Sequence, residues 1–166
     1  MSRCIVLVGP MGAGKTTFGK KLAKKLQVPF VDTDKLIASN HGAVSRIFAT
    51  KGEEHFRTLE SQALTNALES SGIVATGGGV VLSKENRRLL SEHFVIFLDT
   101  SQEHVIGKIN LDRRPLIKDN PDEWGRIYRE RKSLYEDVAD QTVFTGDRSI
   151  RQIMKDLEGI VDGKFV

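Results

Sequence analysis

A chain of 166 residues, 39% hydrophobic and 28% charged, lies in the ordinary range for one globular domain and is large enough to bury a core without disulfides or a structural metal. The net charge of +3 suits small anionic ligands; it is too mild for a nucleic-acid partner, and no aromatic-rich basic stripe accompanies it. The single cysteine, Cys4, excludes an internal disulfide and fits a reducing, cytoplasmic setting, and the apolar stretch before Gly9 is too short for a signal peptide or a membrane span.

In chain order, "CIVLV" (4–8) reads as a strand, with Cys4 as a buried small hydrophobe, and a helix is predicted over 15–26. "VPFV" (28–31) is the second strand, followed by helices at 33–39, 44–50 and 54–70. "GIVAT" (72–76) and "FVIFLD" (94–99) are strands, with a helix at 84–91 between them. Helices at 101–109 and 121–137 lead to the strand "TVF" (142–144). A last helix over 149–161 carries Ile150, Ile153, Met154, Leu157 and Ile160 at three- and four-residue spacing. The polar segment 108–120, with Pro115 inside it and Pro121 just beyond, reads as a mobile loop. Strands apolar on both faces, alternating with helices, point to an open α/β parallel sheet covered on both sides, in one domain spanning 1–166.

"GPMGAGKT" (9–16) directly follows the first strand and opens the first helix. The spacing G-x-x-x-x-G-K-[ST] in that context is the phosphate-binding P-loop: backbone N–H groups wrap phosphate oxygens, and the helix dipole adds to the attraction. Gly12, Ala13, Gly14, Lys15, Thr16 and Thr17 form the expected triphosphate cradle, with Lys15 reaching the β- and γ-phosphates and the Thr16 hydroxyl reaching Mg²⁺. No N-K-x-D motif for reading guanine is present, and the chain has little room for the moving parts of a motor. A small-molecule kinase is the leading class.

The acceptor side is read from four patterns. "FVDTD" places Asp32 and Asp34 at the carboxyl end of the second strand, where open α/β sheets bind ligands; the same pair also reads as a helix N-cap followed by a first-turn acid. "GEEHFRTLE" puts Glu53, Arg57 and Glu60 on one helical face, either a solvated salt-bridge ladder or an arginine held to grip an anion. "ATGGGV" sets Gly77, Gly78 and Gly79 after the third strand, either a loose turn or backbone approaching a ligand. "RRPL" (113–116) supplies Arg114 in the irregular segment, and "RERKSLY" (129–135) supplies Arg131 on a helix.

Taken in this order and at these intervals, "GPMGAGKT", "DTD", "GEEHFRTLE", "TGGG", "RRPL" and "RKSLY" resemble the shikimate kinases over essentially the whole chain. The resemblance implies a three-layer P-loop kinase fold with a five-stranded parallel sheet flanked by helices, a substrate-binding helical segment near 33–61 and a mobile lid near 108–120. It implies transfer of the γ-phosphoryl group of Mg-ATP to the 3-hydroxyl of shikimate, on the route to aromatic amino acids. By the same resemblance Asp34 would bind shikimate hydroxyls and serve catalysis with Lys15 and Arg114. Arg57 and Arg131 would grip the carboxylate, Glu60 would hold Arg57, and Gly77, Gly78 and Gly79 would meet the ring. Thr16 and Asp32 would serve Mg²⁺, and Arg148 would pack on adenine. Two positions depart from the family pattern: Ala38 stands where a glutamate is usual, and Gly107-Lys108 where an Arg-Thr pair is usual. A kinase of another small polyol acid, such as gluconate, is the alternative. No nucleic acid, no membrane and a monomer are expected.

Overall fold

The run Ile5–Val8 (β1) is extended because alternate side chains find apolar partners on opposite faces. Ile5 and Leu7 join Ile73, Ile96, Leu98 and Val143 in one cluster, while Val6 and Val8 join Val74, Val95 and Phe97 in another. The computed structural model describes residues 3–70, 72–105 and 122–164. In it Phe30–Asp32 (β2), Ile73–Ala75 (β3), Phe94–Asp99 (β4) and Gln141–Phe144 (β5) complete a five-stranded sheet of order β2-β3-β1-β4-β5, every pair parallel. The expected α/β architecture is the one observed.

Lys15–Leu26 (α1) and Ile150–Val161 (α8) cover one face of the sheet through Phe18, Leu22, Ile153 and Leu157. Glu53–Ala67 (α4), Lys84–Leu90 (α5) and Glu123–Val138 (α7) cover the other through Leu64, Ala67, Leu90 and Tyr135. Thr33–His41 (α2) and Val44–Lys51 (α3) pack on α4 in a smaller core of Ile37, Ile47, Phe56, Leu59 and Ala63. The short helix Gln102–Val105 (α6) follows β4. Among the described residues no helix is long and apolar enough to cross a membrane.

This topology fixes where a ligand can enter. The chain leaves β1 toward β2 on one side, and later strands are added on the other side at β4. The carboxyl end of β1 is therefore the point where strand order reverses, the place where α/β sheets open a crevice.

Two of the boundaries that move by two residues or more do so for a visible physical reason, and one element was not expected. β2 starts at Phe30 rather than residue 28, because Gln27 turns left-handed (φ 56°) to end α1 and the Val28 N–H closes on the Ala23 carbonyl at 3.0 Å. α4 ends at Ala67, where Leu68 caps it and the Ser70 hydroxyl donates back to the Ala67 carbonyl. A 3₁₀ turn, Val80–Leu82, was not expected; Asn86 and Arg87 of α5 donate to its Val80 and Val81 carbonyls. Arg114, the lid segment 108–120, Gly107-Lys108 and the end of the predicted 101–109 helix lie outside the described residues.

Candidate active site

Gly9 adopts φ 144°, and a Cβ there would sit 2.1 Å from the Leu98 carbonyl oxygen of the neighbouring strand, so the loop leaves the sheet through a gap only glycine fits. α1 then begins at Lys15 with no side-chain cap and no acid in its first turn. The contrast with α8 is direct: there Ser149 and Gln152 form a reciprocal capping box. An uncapped helix start leaves backbone N–H groups and a positive dipole end for an anion. The Lys15 ammonium folds over the loop, donating to the Gly9 carbonyl and to the Pro10 carbonyl at 3.0 Å. The loop is pinned from both sides: Thr145 donates to the Ala13 carbonyl at 2.8 Å and the Trp124 indole to the Met11 carbonyl at 2.9 Å.

Asp32 unites the two meanings its pattern left open. One carboxylate oxygen accepts the Lys35 N–H at 3.1 Å and caps α2, while the other accepts the Thr16 hydroxyl. A hydroxyl and a carboxylate thus meet beside the phosphate loop, a hard-oxygen pair of the kind Mg²⁺ prefers.

The Glu53–Arg57–Glu60 pattern is half surface ladder and half buried clamp. Arg57 donates to the half-exposed Glu53 at 3.2 Å and to Glu60, only 1% exposed, at 2.9 Å. Its guanidinium lies over Phe56 (5.2 Å) and Phe48 (6.0 Å), and its buried Nε has no acceptor among the described residues. Burial pushes the Glu60 carboxyl above the usual carboxylate range; the Asp34 charge adds to the shift, whereas Arg57 and Arg131 oppose it.

The triple-glycine turn sits among these charges. A Cβ on Gly77 would lie 2.8 Å from both Asp34 Oδ1 and Glu60 Oε2, and one on Gly79 would lie 2.0 Å from Arg57 Nη1. Close packing of charged side chains is therefore a second reason for glycine at these positions, beside ligand approach. At Gly78 a Cβ would have only ordinary contacts, at 3.6 Å from Arg131 Nη1, Tyr135 Oη and Met11 N. Arg131 is 6% exposed, so the surface reading of its pattern does not hold.

The phosphate loop, the Asp32–Asp34 edge and the start of the glycine turn line one cleft of about 270 Å³, and neither Arg57 nor Arg131 is in its lining. Gly12, Gly14, Lys15, Thr16 and Thr17 line its loop side; Asp34, Thr76, Gly77 and Gly78 line the opposite side, with Asp32 between. A neighbouring cavity of about 520 Å³ shares Thr16, Asp32 and Asp34 and continues between α2 and α3 past Lys35 and Ala38. Ala38 leaves that wall open where the family pattern carries a carboxylate. Arg148 is not brought into the cleft wall: its guanidinium donates to the Phe144 carbonyl at 3.0 Å and to Asp156 at 2.7 Å. Gly79 likewise faces Arg57 rather than lining the cleft.

Sequence reasoning missed the aromatic side chains of the site. Trp124, Tyr128 and Tyr135 share a stripe of α7 with Arg131; Trp124 stacks on Tyr128, whose hydroxyl donates to Asp99 at 2.7 Å, and Tyr135 donates to the Gly78 carbonyl at 2.5 Å. Their four-, three- and four-residue spacing was the available signal, since it puts all four on one helical face.

A shikimate kinase family model matches residues 11–160. A shikimate kinase of Vibrio parahaemolyticus is 48% identical over 94% of this chain and 96% of its own length. Among solved structures, a shikimate kinase from Acinetobacter baumannii in complex with shikimate superposes with a TM-score of 0.90 at 35% identity, covering 100% of this chain and 97% of that one. The shikimate kinase of Aquifex aeolicus gives 0.80 at 30% identity, covering 96% of each chain. With the phosphate loop, the Asp32–Asp34 edge and the arginine–glycine wall all gathered at one switch point, and with relatives alike from end to end, this chain belongs to the shikimate kinase family.

Proposed function

We propose that the chain transfers the γ-phosphoryl group of ATP to the 3-hydroxyl of shikimate, giving shikimate 3-phosphate, within one kinase domain whose segment 33–61 supplies much of the acceptor wall. One observation carries this reading: a single cleft is lined on one side by the phosphate loop and on the other by Asp34 and the Gly77–Gly78 backbone. A nucleotide-binding module has no need of the second wall.

Each residue then has a task set by its surroundings. The loop amides from Gly12 to Thr17 hold the phosphates, and Lys15 turns its ammonium from the Gly9 and Pro10 carbonyls toward the group that moves. Thr16 and Asp32 fit Mg²⁺, which when bound neutralises charge on the nucleotide phosphates. Asp34 accepts a hydrogen bond from the attacking hydroxyl and orients it. Arg57, its Nε without an acceptor among the described residues, and Arg131 grip the shikimate carboxylate, while Gly78 offers backbone to the ring. Phosphoryl transfer passes through a loose transition state, so alignment and charge stabilisation carry the rate. The Arg114 role beside the phosphates and the Arg148 contact with adenine belong to the same reading. A lone buried cysteine fits a cytoplasmic setting, and a monomer belongs to the same reading.

The family model and the relatives favour shikimate over gluconate as acceptor. A coupled ADP-release assay tests the choice with shikimate, gluconate and AMP offered side by side in Mg-ATP. Release that rises with shikimate alone is expected; release driven equally by gluconate or AMP, or indifferent to all three, contradicts the reading.

A further inference from the structure

Behind the wall assigned to shikimate lies a side chain with no task so far. Tyr135 is 1% exposed, and its ring stacks on Phe97 of β4 at 5.1 Å between centroids. Its hydroxyl donates to the Gly78 carbonyl at 2.5 Å, and the Arg131 guanidinium, four residues earlier on α7, lies beside it: Arg131 Nη1 and the Tyr135 hydroxyl are each 3.6 Å from where a Gly78 Cβ would sit. A phenol has one proton to donate and lone pairs to accept with. With its proton on the Gly78 carbonyl, the hydroxyl keeps its lone pairs for the neighbouring arginine, which has no acceptor capacity of its own.

We propose that Tyr135 is a positioning residue of the acceptor site, whose hydroxyl locks the Gly78 backbone and the Arg131 guanidinium into one rigid unit. The proposal rests on the reading that Gly78 and Arg131 face shikimate. Gly78 follows β3 in a glycine turn that has no side chain to fix its own carbonyl, and Arg131 approaches from a different layer of the fold. Tyr135 is the atom-level link between them. Burial pushes its hydroxyl up to about 12, so it stays a donor throughout the neutral range. It therefore acts by holding geometry rather than by exchanging a proton. Small misplacement of a binding group costs substrate affinity and alignment even when the group itself is intact.

Tyr135→Phe removes only the hydroxyl and keeps the ring on Phe97. Compared with the parent, it is expected to raise the KM for shikimate about tenfold while the KM for ATP stays within about twofold. Kinetics are read well below each variant's melting midpoint. Phe97→Leu is the packing control: it loosens the ring without touching the hydroxyl, and should lower the melting temperature but leave the shikimate KM near the parent value. Tyr135→Phe with an unchanged shikimate KM, or with both KM values raised alike, overturns the proposal. So does Phe97→Leu raising the shikimate KM as far as Tyr135→Phe does. Arg131→Ala run alongside separates the two claims: a large rise there with none in Tyr135→Phe sinks only the positioning role. No rise in Arg131→Ala sinks the acceptor-site assignment itself.

Discussion

The two walls of the cleft are built on opposite principles. The donor wall is backbone: a short contiguous loop, an uncapped helix start and one lysine, anchored from behind by Thr145 and Trp124. The acceptor wall is Asp34 of α2 and a glycine turn, with Arg57 and Glu60 of α4 and Arg131 of α7 packed against that turn. A phosphate chain offers the same oxygens in every nucleotide, so repeated amides suffice. A polyhydroxylated carboxylate offers different groups in different directions, and matching it takes an acid and arginines, each held by its own neighbours. Buried charges of this kind are costly unless paired, which is why Glu60 lies under Arg57 and near Arg131.

If the walls are separable in this way, damage to one should not spread to the other. The largest effect is expected from Lys15→Ala on the donor side. Removing one preorganised donor from the transferring group should lower kcat about 10²- to 10³-fold and leave the shikimate KM within about twofold. Steady-state kinetics check this, and a loss under tenfold, or a matching rise in shikimate KM, breaks the division. A smaller effect is expected from Gly79→Ala on the acceptor side. The added Cβ falls where the Arg57 guanidinium lies, so the arginine must shift away from Glu60. Partial loss of its charged hydrogen bonds should raise the shikimate KM about three- to tenfold with kcat and ATP KM nearly unchanged. An unaltered shikimate KM means that the placement of Arg57 against this turn does not matter for binding.

The same contrast explains what could be read from sequence. The donor wall was legible almost residue by residue, because strand, loop and helix start are contiguous and each glycine has a local cause. The three central strands were legible too, since burial of β1, β3 and β4 on both faces imposes an unbroken apolar run; the edge strands β2 and β5 are not buried that way, and β2 slipped furthest, where the left-handed Gln27 turn is set by how α1 ends. On the acceptor wall Asp34, Arg57 and Arg131 were visible as residue types, but each also had a purely structural meaning, a first-turn acid of a helix for Asp34 and a solvated surface for the two arginines. Burial decided for Arg131, and burial is a tertiary fact: Glu53 and Glu60 also look alike in the sequence, yet one is half exposed and the other enclosed. For Tyr135 and Trp124 the helical spacing showed only that they share a face with Arg131; their partners are backbone carbonyls 57 and 113 residues away, which that spacing does not encode.

The central claim is that one cleft binds two substrates through walls that can be addressed separately, with Arg57 holding the acid of the acceptor. Arg57→Ala tests it most directly, with the affinities for shikimate and for ATP measured by calorimetry on the same preparation. Loss of hydrogen bonds worth roughly 1.5–3 kcal/mol predicts a shikimate affinity weakened about tenfold to a few hundredfold, with ATP binding unchanged within about twofold. Equal weakening of both ligands, or an undiminished affinity for shikimate, contradicts the account.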